Sequence, residues 1–380
     1  VLGVVGAGQL ARMVHQATVG LGIELRVLAV RSDDSAALVL PDVTVGDWHD
    51  LAVLRAFAAG CDVVTFDHEL VPPAHLAALE AEGHVLRPSA AAARFAQDKR
   101  HQREQLRAAG FPVPDFAVVA SADDLVAHGD ETGWPVVAKA VRGGYDGRGV
   151  WVVDDAAAAR RLVAQATGVE LLAEEHIELE VELAVAVARR PGGQRVAYAV
   201  TETVQRDGIC VELVVPARVG ADVAAAARDL ALRLVEHVGG VGVVAVELFV
   251  ARDGRLLVNE LALRPHNSVH WTIEGARTSQ FQNHARAVLD LPLGSTEMSA
   301  PAVATVNVLG GDDGGDPRAR LARALAVDGV AVHLYGKVPR PGRKLGHVTA
   351  LADEVGAARQ QAAAAAAALV TGPPTEEPDR

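Results

Sequence analysis

The stretch GVVAVELFVARDGRLLVNEL, residues 242–261, decides the reading of the fold. Two apolar runs flank Arg252-Asp253-Gly254, and Asp-Gly is a preferred two-residue hairpin turn. With Asp253 and Gly254 as the loop, Arg252 faces Arg255 and Glu247 faces Glu260. A three-residue turn would move the register by one, so the pairing depends on the turn. Two carboxylates opposed on apolar strands repel each other. A hard divalent cation such as Mg²⁺ between them turns that cost into a site, because it prefers oxygen ligands together with nucleotide phosphates. Glutamates that simply point to solvent are the alternative.

Just downstream, Arg264-Pro265-His266-Asn267-Ser268-Val269-His270 packs polar groups into a proline-stiffened loop. His266 and His270 have i, i+4 spacing, but Pro265 argues against the helix that a zinc pair would need. Upstream, Lys139 sits inside the apolar run VVAKAV, where its charge is costly unless it meets an anion. Gly143-Gly144-Tyr145-Asp146-Gly147-Arg148-Gly149 follows, and its glycines let backbone fold over phosphates. No G-K-[ST] follows, so this is not a Walker A loop, and an exposed hairpin is the plain alternative.

At the start of the chain, LGVV, Gly6-Ala7-Gly8 and QLARMVHQATVGLG read as strand, tight turn and helix. Further β/α alternation predicts a doubly wound parallel sheet. The G-x-G-x-x-A turn could meet a phosphate, with Asp33 and Asp34 placed like a ribose-binding acid, or could merely close strand onto helix. Near the other end, Gly336-Lys337-Val338-Pro339-Arg340-Pro341-Gly342-Arg343-Lys344 is a dense basic loop. It suits a phosphate monoester, or is only a solvated turn.

Composition sets the limits. A chain of 380 residues predicts two or three domains. A formal charge of −12 argues against a nucleic-acid partner. Cys61 and Cys210 are too few for a disulfide framework or a four-cysteine zinc site. No apolar run is long enough to span a membrane, and Val1–Val5 lacks the charged region of a secretory signal. The absent initiator Met predicts a trimmed N-terminus, and the expected location is the cytoplasm. Among 36 basic residues only Lys99, Lys139, Lys337 and Lys344 are lysines. They mark positions that want a compact ammonium, unless codon usage scattered them.

Taken in order, GAGQLARM, GGYDGRG, VELFV, NELALRPHNSVHWT, SQFQNHARAVLDLPLG and RPGRKLGH resemble one family over nearly the whole chain. It is that of the N5-carboxyaminoimidazole ribonucleotide synthetases, the ATP-grasp ATPase subunits of phosphoribosylaminoimidazole carboxylase in purine biosynthesis. The resemblance implies an α/β, partly α+β, ATP-grasp fold. The N-terminal doubly wound domain would cover residues 1–92 and the ATP-grasp domain 93–295, with a lid at about 115–185. A small C-terminal domain would cover 296–372, and 373–380 would be a flexible tail. The implied activity is that of an ATP-dependent ligase, using Mg²⁺ (or Mn²⁺) and bicarbonate. It carboxylates the 5-amino group of aminoimidazole ribonucleotide through carboxyphosphate, giving ADP and phosphate.

The same resemblance distributes the site. ATP falls to Arg94, Lys139, the loop Gly144, Tyr145, Asp146, Gly147, Arg148 and Gly149, and to Gln205 and Asn259. Adenine lies on Glu174-Glu175-His176-Ile177 and ribose on Glu182; Glu247 and Glu260 hold the metal. Arg264, His266 and Asn267 face bicarbonate and carboxyphosphate, while Tyr145, Asp146 and Arg148 approach the reacting amine. Lys337, Arg343 and Lys344 take the 5′-phosphate, and Gln9, Leu10 and Asp67 or Glu69 touch the substrate from the first domain. A homodimer and a hand-over of product to the downstream mutase are also implied, with no nucleic-acid or membrane partner.

Departures from the family pattern are few. Leu263 and Val269 stand where proline and glycine are usual, which would loosen the Arg264 loop and put valine at a φ > 0 position. Asp67 is one methylene shorter than the usual Glu. The runner-up is the formate-dependent glycinamide ribonucleotide transformylases, which follow R-P-H with Asp-Thr where Asn267-Ser268 stand here. A nicotinamide-dependent dehydrogenase built on Gly6-Ala7-Gly8 and a catalytically weakened nucleotide-binding homologue are the other classes.

Overall fold

The computed structural model describes residues 1–144 and 149–371. Tyr145, Asp146, Gly147, Arg148 and the segment 373–380, all named above, lie outside the described residues.

Among the described residues three sheets form. The first has strands β1 (Leu2–Val5), β2 (Leu25–Ala29), β3 (Val43–Val45) and β4 (Val63–Phe66) in the parallel order β3-β2-β1-β4. All four residues of β1 are buried, as expected of a strand covered on both faces. The helix Gln9–Val19 that follows buries Leu10, Met13 and Val14, the i, i+3, i+4 spacing of one apolar stripe.

The second sheet holds β5 (Phe116–Val119), β6 (Val136–Ala140), β7 (Val150–Val153) and β8 (Leu171–Glu175), antiparallel in the order β5-β8-β6-β7. Leu125 and Ala159, from the helices Ala122–Thr132 and Ala156–Gln165, share a core with Val136, Ala138 and Ala173.

The third sheet is the largest. It contains β9 (Leu179–Arg189), β10 (Arg195–Ala197), β11 (Thr201–Arg206), β12 (Ile209–Val215), β13 (Gly242–Ala251), β14 (Leu256–Ala262), β15 (Ala302–Leu309), β16 (Val330–Leu334) and β17 (Lys344–Ala352). Their order is β14-β13-β9-β11-β12-β15-β17-β16, with β10 beside β9. The helix Ala221–Val238 lays Leu230, Leu234 and Val235 on Val185, Val187, Val244 and Val246 of β9 and β13. Because β12 pairs with β15, the C-terminal strands extend the central sheet instead of forming one of their own. Lys344 opens β17 and is thereby carried by the same sheet as the glutamate hairpin. No helix among the described residues is long and apolar enough to cross a membrane.

Residues 90–108 form two helices, Ala90–Gln97 and Lys99–Ala108, and not one. Asp98 breaks them: its backbone is extended, and its carboxylate accepts the His101 N–H and so caps the second helix. The break puts Lys99 first on the new helix, with its N–H on the Val141 carbonyl at the end of β6.

Candidate active site

The hairpin brings Glu247 opposite Glu260, but by another route than a two-residue turn. Three residues, Arg252, Asp253 and Gly254, form the loop. Ala251 N–H donates to the Arg255 carbonyl and Gly254 N–H to the Ala251 carbonyl, each at 2.9 Å, with Gly254 at φ +86°. That register alone would set Glu247 against Asn259. A β-bulge corrects it: Leu248 faces Val258 while Glu247 faces Glu260, so Asn259 is the extra residue on β14. The bulge has a use. It leaves the Asn259 carbonyl to accept from Arg103 at 2.7 Å and the Asn259 side-chain oxygen to accept from Lys139 at 3.3 Å.

Around the hairpin the charges divide. Glu174 on β8 is almost fully buried and meets Arg103 at 2.7 Å and Lys139 at 2.6 Å. Burial would raise its pKa, yet those two cations hold it down to about 2. Glu260 meets Lys99 at 3.1 Å, and Lys99 with Lys139 keeps it below the ordinary carboxylate range against the effect of burial. Among the described residues Glu247 makes no ion pair with a lysine or arginine. Burial first, then Glu260 and Glu182, push its pKa well up. Two opposed carboxylates, one of them held in repulsion, fit Mg²⁺, which takes one or two carboxylates plus substrate phosphates. No group of three or more His, Cys, Asp or Glu among the described residues is arranged to hold a metal, which a zinc site would need. His270 turns its Nδ1 to Gln280, not to a site shared with His266.

The loop after β14 supplies anion-binding groups. Arg264 is held by Glu69 of the first domain at 2.8 Å. His266 accepts the Ser268 N–H on Nδ1, and the Ser268 hydroxyl lies 2.8 Å from the same atom. This assigns the ring proton to Nε2. Burial, then Arg264 and Lys344, hold its pKa well below the usual value, so the ring is neutral near pH 7. Among the described residues the buried side-chain nitrogen of Asn267 has no hydrogen-bond partner, a donor left for a ligand.

The glycine turn of the first domain is used differently from a dinucleotide site. The Gly8 N–H that would meet a phosphate donates to Asp67 at 2.5 Å. A Cβ on Gly6 or Gly8 would come within 1.9 or 2.7 Å of the Asp67 carboxylate. The turn is glycine-rich because Asp67 fills it, which removes the dehydrogenase reading; Asp33 is likewise spent on Arg31. Beyond it, the Tyr335 carbonyl accepts the Ser35 hydroxyl at 2.5 Å, tying the first domain to the basic loop that begins at Lys337.

Comparison with known proteins agrees with this layout. The ribonucleotide synthetase preATP-grasp domain family matches residues 1–97, the ATP-grasp domain family 104–281 and the phosphoribosylaminoimidazole carboxylase C-terminal domain family 303–361. The N5-carboxyaminoimidazole ribonucleotide synthase of Mycobacterium bovis is 51% identical over 360 residues, 92% of this chain and 83% of the relative. The chain belongs to the N5-carboxyaminoimidazole ribonucleotide synthase family. As such it is an ATP-dependent, carbon–nitrogen bond-forming ligase with the ATP-grasp fold. The synthetase structure from Thermus thermophilus matches with a TM-score of 0.88 at 35% identity, covering 99% of this chain and 100% of that one. The Aspergillus clavatus synthase in complex with ADP and 5-aminoimidazole ribonucleotide matches with a TM-score of 0.89 at 32% identity, over 97% and 98%.

Within this synthase fold, the other residues singled out from the sequence fall as follows. The Glu175 carboxylate is bound to Arg255 at 2.7 Å and ties β8 to the glutamate hairpin, while Glu174 ties β8 to the helix Lys99–Ala108. The strand ends at Glu175, whose N–H donates to the Asp115 carbonyl at 2.9 Å, so of this segment only His176 and Ile177 lie beyond the strand pairing. Ile177 packs on Ala251 and Leu257. Glu182 and Gln205 lie on the neighbouring strands β9 and β11, and burial raises the Glu182 carboxyl. Arg94 is exposed, one turn before Asp98, and Gly149 closes its loop onto Ala140 N–H at 2.8 Å. Gln9 begins the first helix and Leu10 is buried in its core. Arg343 donates to the Val338 carbonyl at 2.9 Å, and Lys337 lies 5.6 Å from the Tyr335 ring centre.

A further expectation is overturned. Val269 lies in a 3₁₀ turn, Asn267–Val269, and is not among the residues with positive φ, so valine is unstrained there. Leu263 is packed into the core with Val246 and Leu261. Sequence reasoning missed three residues: Lys99, Arg103 and Gln280. Only the scarcity of lysine pointed to the first of them.

Proposed function

We propose that this synthase uses MgATP and bicarbonate to carboxylate the 5-amino group of aminoimidazole ribonucleotide. The observation that carries this reading is the Glu247–Glu260 pair. It adjoins a loop presenting Arg264, neutral His266 and an unpartnered Asn267 amide, with Lys99 and Lys139 across from it. In this reading Lys139 with Arg94, the glycine loop, Gln205 and Asn259 hold ATP. The segment Glu174–Ile177 takes adenine and Glu182 the ribose. Glu247 and Glu260 would hold Mg²⁺, which when bound neutralises phosphate charge as the γ-phosphoryl group leaves.

A bicarbonate oxygen, kept in place by Arg264 and Asn267, attacks the γ-phosphorus and ADP departs, leaving carboxyphosphate. The His266 Nε2–H donates to that anion. The amine nitrogen then bonds to the carboxyl carbon, the bond from that carbon to the phosphate oxygen breaks with its electron pair leaving on inorganic phosphate, and the departing phosphate takes up the proton that the amine loses. The basic loop with Lys337, Arg343 and Lys344 takes the non-reacting 5′-phosphate and so orients the amine. Tyr145, Asp146 and Arg148 are assigned to the amine by the sequence alone, and Gln9, Leu10, Asp67 and Glu69 border the substrate from the first domain. Within the same reading the enzyme is a cytoplasmic homodimer that hands its product to the downstream mutase.

The test is phosphate release from ATP. It should require Mg²⁺ and rise strongly only when aminoimidazole ribonucleotide and bicarbonate are both present. Equal release with glycinamide ribonucleotide and formate would sink the reading in favour of the transformylase.

A further inference from the structure

Gln280 opens the helix Gln280–Val288, and no part of it is exposed. Its backbone N–H, which a helix start would leave unpaired, is held by the Thr272 hydroxyl at 3.0 Å. Its side chain reaches back to the bicarbonate loop. The Gln280 oxygen accepts the His266 backbone N–H at 2.8 Å, and its nitrogen donates to the His266 carbonyl at 2.9 Å. The same nitrogen lies 3.0 Å from His270 Nδ1. His266 is extended, at φ −129° and ψ 151°, with the amide acting in place of a neighbouring strand. Only a planar primary amide can accept and donate in this way. A carboxylate would set oxygen against the carbonyl, and an aliphatic side chain would leave both groups unpaired.

The contacts continue beyond His270. Its ring centre lies 5.0 Å from that of His347, whose Nδ1 is 2.7 Å from the Tyr335 hydroxyl. All three side chains are essentially inaccessible to solvent. Tyr335 immediately precedes the Gly336–Lys337 loop, and Lys337 lies over its ring. Gln280 therefore stands at one end of a continuous packed chain joining the loop of His266 to the loop of Lys337.

We propose that Gln280 is a positioning residue that sets the bicarbonate loop relative to the ribonucleotide-phosphate loop. Carboxyphosphate then forms within reach of the amine. This rests on the function proposed above. Misplacing reacting groups by about 1 Å costs on the order of a hundredfold in rate, so a clamp at this point has leverage without touching substrate.

Gln280→Glu, nearly isosteric, is the first test. The KM for bicarbonate should rise about tenfold and product formed per ATP hydrolysed should fall, while the KM for ATP stays within about twofold. Tyr335→Phe removes one hydroxyl at the far end of the chain. It should also raise the KM for bicarbonate, less than additively with Gln280→Glu, and it serves alone should the Gln280 variant not fold. Overturning results are a lowered melting temperature with product per ATP and the ratio of the two KM values unchanged, or a Tyr335→Phe enzyme with wild-type bicarbonate KM. A wild type whose ATP turnover ignores aminoimidazole ribonucleotide and bicarbonate would instead refute the proposed function. The clamp is then read directly from ¹³C-labelled histidine: the His266 signal shifts in Gln280→Glu if the clamp is real, and stays put if it is not.

Discussion

Glu174 is almost fully buried and Glu247 partly so, and their surroundings drive the two carboxylates in opposite directions. Glu174 sits between Arg103 and Lys139, both within 2.7 Å, and is ionised far below neutral pH. Glu247 faces another carboxylate, and its nearest base, His266 at 3.6 Å, is neutral, so burial and repulsion raise its pKa. The first is a strut that holds β8 to the helix Lys99–Ala108. The second is kept in repulsion by the fold, and repulsion that a cation relieves is what makes a metal site. Burial pushes both carboxyls up; the charge of the neighbours decides which way each ends.

Removing the strut should have the largest effect. Glu174→Gln leaves two buried cations without their anion, and breaking a buried pair costs about 3–5 kcal/mol. Urea unfolding should show that loss. A change below about 1 kcal/mol would place Glu174 with ordinary surface charges and erase the contrast.

Next comes the opposed pair. Glu260→Gln keeps size and removes a charged oxygen, so kcat/KM should fall by about two to three decades. Its urea midpoint should stay near wild type, because the half-exposed ion pair with Lys99 is worth only about 0–1 kcal/mol. Wild-type turnover at limiting Mg²⁺ would show that the pair does not bind the cation.

The smallest effect sharpens the comparison through pH. Glu247 has a folded pKa above its unfolded value, so the folded chain keeps a proton that the unfolded chain releases. The stability from this group is present below the ordinary carboxylate pKa and is lost as pH rises through the raised value. Glu174 runs the other way: its contribution is present above the unfolded pKa and is lost as pH falls toward about 2. A cation relieves only the first. Mg²⁺ should therefore raise the melting temperature more at about pH 8.5 than at about pH 6.5, and Glu247→Gln should abolish that difference. Equal shifts at both pH values would mean the repulsion is not what Mg²⁺ relieves.

Much of the site was legible because its motifs are local. Strand–turn–helix at Gly6, the two runs around Asp253-Gly254 and the Arg264–His270 loop each declare themselves within twenty or so residues, by alternation or by turn chemistry. The pairing of Glu247 with Glu260 came out as expected for a partly wrong reason. A three-residue loop shifted the register and the bulge at Asn259 shifted it back. Alternation cannot reveal two compensating irregularities, since apolar residues still line both strands. The break at Asp98 was equally hidden, because Ala90–Ala108 is rich in helix formers on both sides of it.

The sequence by itself determined the fold class, the family and the chemical groups on offer, because these are carried by short patterns with their own periodicity. Only the tertiary structure decided which group meets which. Lys99 reaches Glu260 across 161 positions, Arg103 reaches Asn259 across 156 and Glu69 holds Arg264 from another domain. Asp67, offered as a substrate contact, was found filling a glycine turn, and Glu174, offered to adenine, was found between two cations. The physical reason is that a charge is set by everything within a few ångströms, and in a buried cleft those neighbours come from segments far apart in the chain.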